Sequence, residues 1–148
     1  MNRFEELENE ASILGIEVID IEIPIAEMNA AYLSLSGSER IFLRNTGAVC
    51  ERACWIAEEL GHHHTGQNLV LQHRPADDWR DEARARRWAH MRLLTPDAIY
   101  TAARNTDDIY EIAEALDFSE EFLRESINDF QAKGKWSSTF VCVGEVEI

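Results

Sequence analysis

Residues 16 to 25 alternate apolar and acidic side chains with a period of two and two further strand-like runs follow up to residue 45, whereas the stretches on either side repeat every three to four residues. Period two is the mark of a strand with one buried face, and a repeat of three to four marks an amphipathic helix. Helices before and after a cluster of short strands are expected to make the chain α+β, with a small antiparallel sheet packed on helices. The run IEVIDIEIPI reads as a half-buried strand interrupted at Pro24, and AAYLSL and ERIFLRN around SGS read as a hairpin over 30–45. Ahead of them, Phe4, Leu7, Ala11 and Leu14 predict a helix over 2–14 that Gly15 ends.

Beyond the hairpin the helical period returns. Thr46 is a candidate cap for a helix from about Gly47 to His63, with Thr65 and Gly66 as its stop. Residues 67–78 read as loop, with Asn68–Leu71 as a short strand within it. Asp77 or Asp78 would cap a second long helix to about Leu94, broken by Thr95-Pro96. Shorter helices are expected over Asp97–Arg104 and Asp107–Leu116, and another from Ser119. The closing WSSTFVCVGEVEI reads as a strand. At 148 residues the chain is expected to divide into 1–96 and 97–148, the second part packing on the first as one domain.

Composition removes several classes of function. No segment is apolar over the ~18–20 residues a spanning helix needs. The opening MNRFEELENEASILG mixes charge with apolar residues, so a cytoplasmic protein is expected. The three cysteines, Cys50, Cys54 and Cys142, imply no disulfide framework. Cys50 and Cys54 read as small core residues. A net charge of −14 argues against a nucleic-acid partner, because phosphate contacts need clustered Lys and Arg. Six arginines between 74 and 92 are the local exception and read as a solvated helix face.

The chemistry concentrates in WIAEELGHHH, residues 55–64. On a helix, Glu58 and His62 share a face, while Glu59 points about 100° away from Glu58. That is the geometry of the HExxH zinc helix, whose first and fifth positions bind metal and whose second is the general base, here with Glu in place of the first His. A catalytic zinc takes three protein ligands and keeps one open position. The best candidate for the third is Glu82 in EARARRWAHMRLL, where Ala85 and Ala89 would let the second helix approach the first. His63 and His64 point elsewhere and are expected at the surface or in supporting roles. A polar helix end without chemistry is the bland alternative; an affinity tag is excluded by an internal run of only three. His63, His73, His90 and Tyr32 are candidate oxyanion donors, and the strand 39–45 is a candidate for pairing with an extended substrate.

AEELGHH followed by E-x-x-A-x-x-W-A-x-x-x-L-L-x-P, with Glu82 twenty residues after His62, resembles the ImmA/IrrE metallopeptidases. The order of elements over 2–96 matches as well, and DDIYEIAEALDFSEEFLRESI resembles the helical segment that follows the peptidase core. The resemblance implies a zincin-like fold and a zinc-dependent endopeptidase that cleaves a helix-turn-helix repressor and relieves repression of mobile-element or stress genes. Carried over by position, Glu59 would be the base and His62 and Glu82 metal ligands, with Glu58 standing where the first ligand is usually histidine. Two carboxylates and one imidazole bring an extra negative charge to Zn²⁺, which acidifies water less and discriminates less against Mn²⁺. The alternative is that Glu58 is no ligand, the metal is lost, and the chain is an inactive module that sequesters a regulator. A further rival, a DNA-binding role for IAEALDFSEEFLRESI, fails on charge, because residues 106–130 hold nine acids against the single base Arg124. Such a surface suits a basic, DNA-binding protein partner.

Overall fold

The computed structural model describes residues 1–66 and 75–133. Within them the chain is α+β, with six helices and a three-stranded mixed sheet. It divides into two compact units, Met1–Ala89 and His90–Ile148. The expected strands at 68–71 and 136–148, with His73 and Cys142, lie outside the described residues.

The first unit opens with α1 (Arg3–Ile13), started by a reciprocal capping box between Asn2 and Glu5 and followed by Gly15 at φ +80°. Leu7 and Ala11 are its buried residues, whereas Leu14 stays part-exposed at the cap. Strand β1 (Ile16–Ile21) stops before Pro24, and Ile23 is buried outside it. Strands β2 (Ala30–Leu35) and β3 (Ser38–Arg44) form the hairpin. Its two linking residues, Ser36 and Gly37, both have positive φ, +51° and +80°, the conformation of a type I′ turn whose twist matches the flanking strands.

The strand order is β1-β3-β2, with β1 parallel to β3 and β2 antiparallel to it. The sheet is therefore mixed, not purely antiparallel: β1 enters beside β3 on the side away from β2. Both edges of β3 are paired, so the expectation that 39–45 receives a substrate strand is corrected. Among the described residues the sheet's edges are β1 and β2. Arg44 closes the loop between β1 and β2, its guanidinium donating to the carbonyls of Ile23, Ile25 and Met28 at 3.1, 2.6 and 2.6 Å.

Helix α2 (Val49–His64) is capped at Ala48 without a side-chain bond, not at Thr46. Gly47, at φ +113°, keeps the backbone out of the helix until that point, and the Trp55 ring fills the space over it. Ala53, Ile56, Ala57, Leu60 and Gly61 form its buried stripe at spacings of three and four. Cys50 and Cys54 flank that stripe half-buried, not in the core. Helix α3 (Pro75–Leu93) begins before Asp77, since proline is well tolerated in a first helical turn.

The second unit takes the end of α3 and the helices α4 (Pro96–Ala103), α5 (Ile109–Leu116) and α6 (Glu120–Ala132). Thr95, Asp108 and Ser119 cap them, each accepting from a main-chain N–H. Buried at the end of α3, His90 contacts Asp129 through Nδ1 and Glu125 through Nε2, the latter at 3.1 Å, with the Phe122 ring edge-on. Burial alone would lower its pKa, but the two α6 carboxylates outweigh burial and raise it. The charged imidazole therefore stabilises the fold fully below the ordinary histidine value of about 6.5, and the gain fades as pH climbs through the raised one. His90→Phe should lower stability at pH 6 by about 3 kcal/mol, the scale of a broken buried pair. In paired thermal melts the gap to the parent should narrow toward pH 9; a gap independent of pH would show that the charge contributes nothing.

Candidate active site

The buried stripe of α2 turns its polar edge, Glu58, Glu59 and His62, toward α3 and β2. What sets the distance to α3 is Gly61. A Cβ placed there would lie 2.3 Å from the Ala85 carbonyl oxygen and 2.8 Å from its Cα. Ala85 and Ala89 are fully or almost fully buried, so small residues on both helices permit the close approach. One turn before Ala85, Glu82 then reaches across, and its Oε1 lies 3.2 Å from His62 Nε2. The His62 side chain is 14% exposed and that of Glu82 60%, so the pair lies at the mouth of the site. Burial would lower the His62 pKa, but the Glu82 contact and the charges of Glu59 and Glu58 raise it overall.

Glu59 is touched by solvent yet surrounded by protein on most sides. That enclosure, with the charges of Glu82 and Glu58, pushes its pKa up to about 7 against the opposing pull of His62 and, least of all, of the nearby Tyr32 main-chain N–H. The strand pairing turns that N–H outward. Arg44 N–H bonds Asn29 O at 2.8 Å, and bonding alternates along an antiparallel pair. Residues 29, 31, 33 and 35 thus face β3, and the main-chain groups of Ala30, Tyr32 and Ser34 face away from it. A carboxylate whose pKa is drawn toward neutrality is suited to accept and return a proton.

Glu58 stands beside Arg86, its Oε1 3.8 Å from the guanidinium Nε. Among the described residues no three His, Cys, Asp or Glu side chains converge on one point. The fit to a metal is thus partial. Two atoms each 2.0–2.1 Å from a tetrahedral zinc stand roughly 3.3 Å apart, the separation His62 and Glu82 show, whereas Glu58 is turned toward Arg86.

Of the other histidines, His63 Nδ1 meets Glu39 Oε2 at 2.5 Å, and the Tyr32 hydroxyl donates to the same oxygen at 2.6 Å. Burial and that contact push the Tyr32 phenol up to about 12, and the Tyr32 hydroxyl bond holds Glu39 below the usual carboxylate range. His64 stacks on Trp88 with ring centroids 4.5 Å apart. Tyr32 and His63, two of the candidate oxyanion donors, are thus engaged with Glu39, and His90 with Asp129 and Glu125. The sequence does not single out Glu39: an acid at the start of a strand that also carries Arg40 and Arg44 is its only signal.

A helix that presents a carboxylate base beside histidine, faced by a glutamate from a second helix, is the arrangement of metal-dependent peptidases. The chain belongs to that class by descent: residues 11–128 match the IrrE N-terminal-like domain family of M78 peptidases. The resemblance drawn from the motifs and their order is thereby established, and membership of a metallopeptidase family implies a metal cofactor. Comparison with curated proteins and with solved structures returned no match. No helix among the described residues is long and apolar enough to cross a membrane.

Proposed function

We propose that this protein is a metal-dependent endopeptidase that cleaves a helix-turn-helix repressor. The observation that carries the reading is the approach of Glu82 to His62 across two helices, beside a Glu59 whose pKa is drawn to about 7. His62 and Glu82 would hold the ion, and Glu58 would complete the set by turning away from Arg86. A bound Zn²⁺, or Mn²⁺ at so oxygen-rich a site, supplies polarisation of the peptide carbonyl and acidification of water. Glu59 takes the proton from the attacking water on its carboxylate, holds it while enclosed by protein, and delivers it to the leaving amine. The outward main-chain groups of Ala30 and Ser34, on either side of Tyr32, offer hydrogen bonds to an extended peptide segment.

The acidic exposed residues Asp107, Asp108, Glu111, Glu114, Asp117 and Glu121 favour a partner that is basic because it binds DNA. Tag-free protein should carry about one equivalent of a divalent ion, the stoichiometry of a catalytic zinc site, and should cut a repressor encoded beside it in a chelator-sensitive way. Glu82→Ala should lower metal content, read by elemental analysis. Full occupancy in that variant would remove Glu82 from the ligand set. Protein without metal that binds the repressor uncut would leave only a sequestering role.

A further inference from the structure

We infer that Glu39 is a positioning residue of the catalytic site: by receiving the Tyr32 hydroxyl from β2 and His63 from α2 on one carboxylate oxygen, it fixes the edge strand against the helix so that the outward Tyr32 main-chain N–H stays beside Glu59. The inference builds on the proposed peptidase role of Glu59 but rests on contacts independent of any metal.

Two ties pin α2 along β3. Near its start, Arg52 Nε donates to the Arg44 carbonyl at 3.2 Å; near its end, His63 meets Glu39 at 2.5 Å. Residues 52 and 63 are eleven apart, which at about 1.5 Å per helical residue is roughly 16 Å. Residues 39 and 44 are five apart, which at about 3.4 Å per strand residue is roughly 17 Å. The two spans agree, so helix and strand run antiparallel in matched register, and Glu59 lies between the ties, one turn from the Glu39 end.

Glu39 also reaches β2. Tyr32 is a buried side chain, and its hydroxyl donates to Glu39 Oε2 at 2.6 Å. The Tyr32 and His63 rings meet edge-to-face with centroids 6.2 Å apart. The ring of Tyr32 is thus held by Glu39 and His63, while its main-chain N–H, turned away from β3, faces the Glu59 carboxylate. Releasing the ring frees the strand to shift along the helix. A shifted strand carries that N–H away from Glu59, and misplacement of a reacting group is costly in rate.

The test compares Glu39→Ala with Glu39→Gln. The amide oxygen of Gln can accept from both the Tyr32 hydroxyl and the Nδ1–H of neutral His63, as the one carboxylate oxygen does, so it should rescue a tie that alanine abolishes. By amide hydrogen exchange, Tyr32 should exchange about tenfold faster in Glu39→Ala, the scale of one hydrogen bond's net contribution. Leu43 in the central strand, whose amide faces β1 as that of Asn45 does in bonding Ile21 O, should stay as protected as in the parent, which separates local release from unfolding. On the repressor, kcat should fall by about 10–100-fold, the cost of a small misplacement, with KM little changed. Glu39→Gln should lie near the parent in both readouts. A Tyr32 amide equally protected in the parent and in Glu39→Ala overturns the inference, as does a Glu39→Gln variant as impaired as Glu39→Ala. A parent that cuts no repressor but shows the predicted exchange pattern retires the peptidase reading and leaves the positioning role standing.

Discussion

Glu59→Gln should lower the rate of repressor cleavage by about 10²–10⁴, the contribution of a positioned general base, while leaving partner binding and metal content unchanged. The amide is nearly isosteric and its oxygen can still face the Tyr32 N–H, so the local geometry persists. What is lost is the capacity to take up a proton. The fold should not suffer: enclosure raises the Glu59 pKa to about 7, so the ionised carboxylate is a cost to the folded chain that grows as pH rises above the unfolded value. A neutral amide removes that cost. At pH 8 the variant should therefore melt no lower than the parent, which separates lost chemistry from lost structure. Single-turnover cleavage is the decisive measurement, and undiminished proteolysis would remove Glu59 from the mechanism.

The second large effect concerns a residue with no side chain. Gly61→Ala adds a methyl group 2.3 Å from the Ala85 carbonyl oxygen and 2.9 Å from its carbonyl carbon. These are main-chain atoms in mid-helix and cannot rotate aside. Overpacking of this kind costs about 1–3 kcal/mol, and more where backbone must move. The strain is relieved only by moving α3 away from α2, and Glu82 moves with it. A lower melting temperature should therefore accompany a greater loss of metal than Glu58→Ala produces, although alanine is an excellent helix former. Retention of both stability and metal would mean that the two helices adjust without separating His62 from Glu82.

The periodicity of residues 2–66 is legible because each element buries one face, and burial writes a period into the sequence. The hairpin could be read from SGS between two alternating runs, and the α2 stripe from its apolar positions. Strand order could not. Nothing in IEVIDI states that it lies parallel to β3 instead of beside β2, since alternation specifies which face is buried and not which neighbour is paired. Thr46 resembled a cap more than Ala48 did, but the positive φ of Gly47 delays the helix. At the site, Glu58, Glu59 and His62 stood out because helical spacing relates them, and Glu82 because small residues recur after it. The turn of Glu58 toward Arg86 and the meeting of Tyr32, Glu39 and His63 are tertiary, joining residues whose separations carry no period.

The Ser36-Gly37 turn has a reach beyond the hairpin it closes. Side chains and hydrogen-bonding groups swap sides at every step of a strand, so the number of residues in this bend acts as an index for the whole of β2. One residue more, and the odd positions would present their amides outward while the Tyr32 ring left the interior. Which amide greets the carboxylate of a distant helix is thus decided by two residues at the far tip of a ribbon.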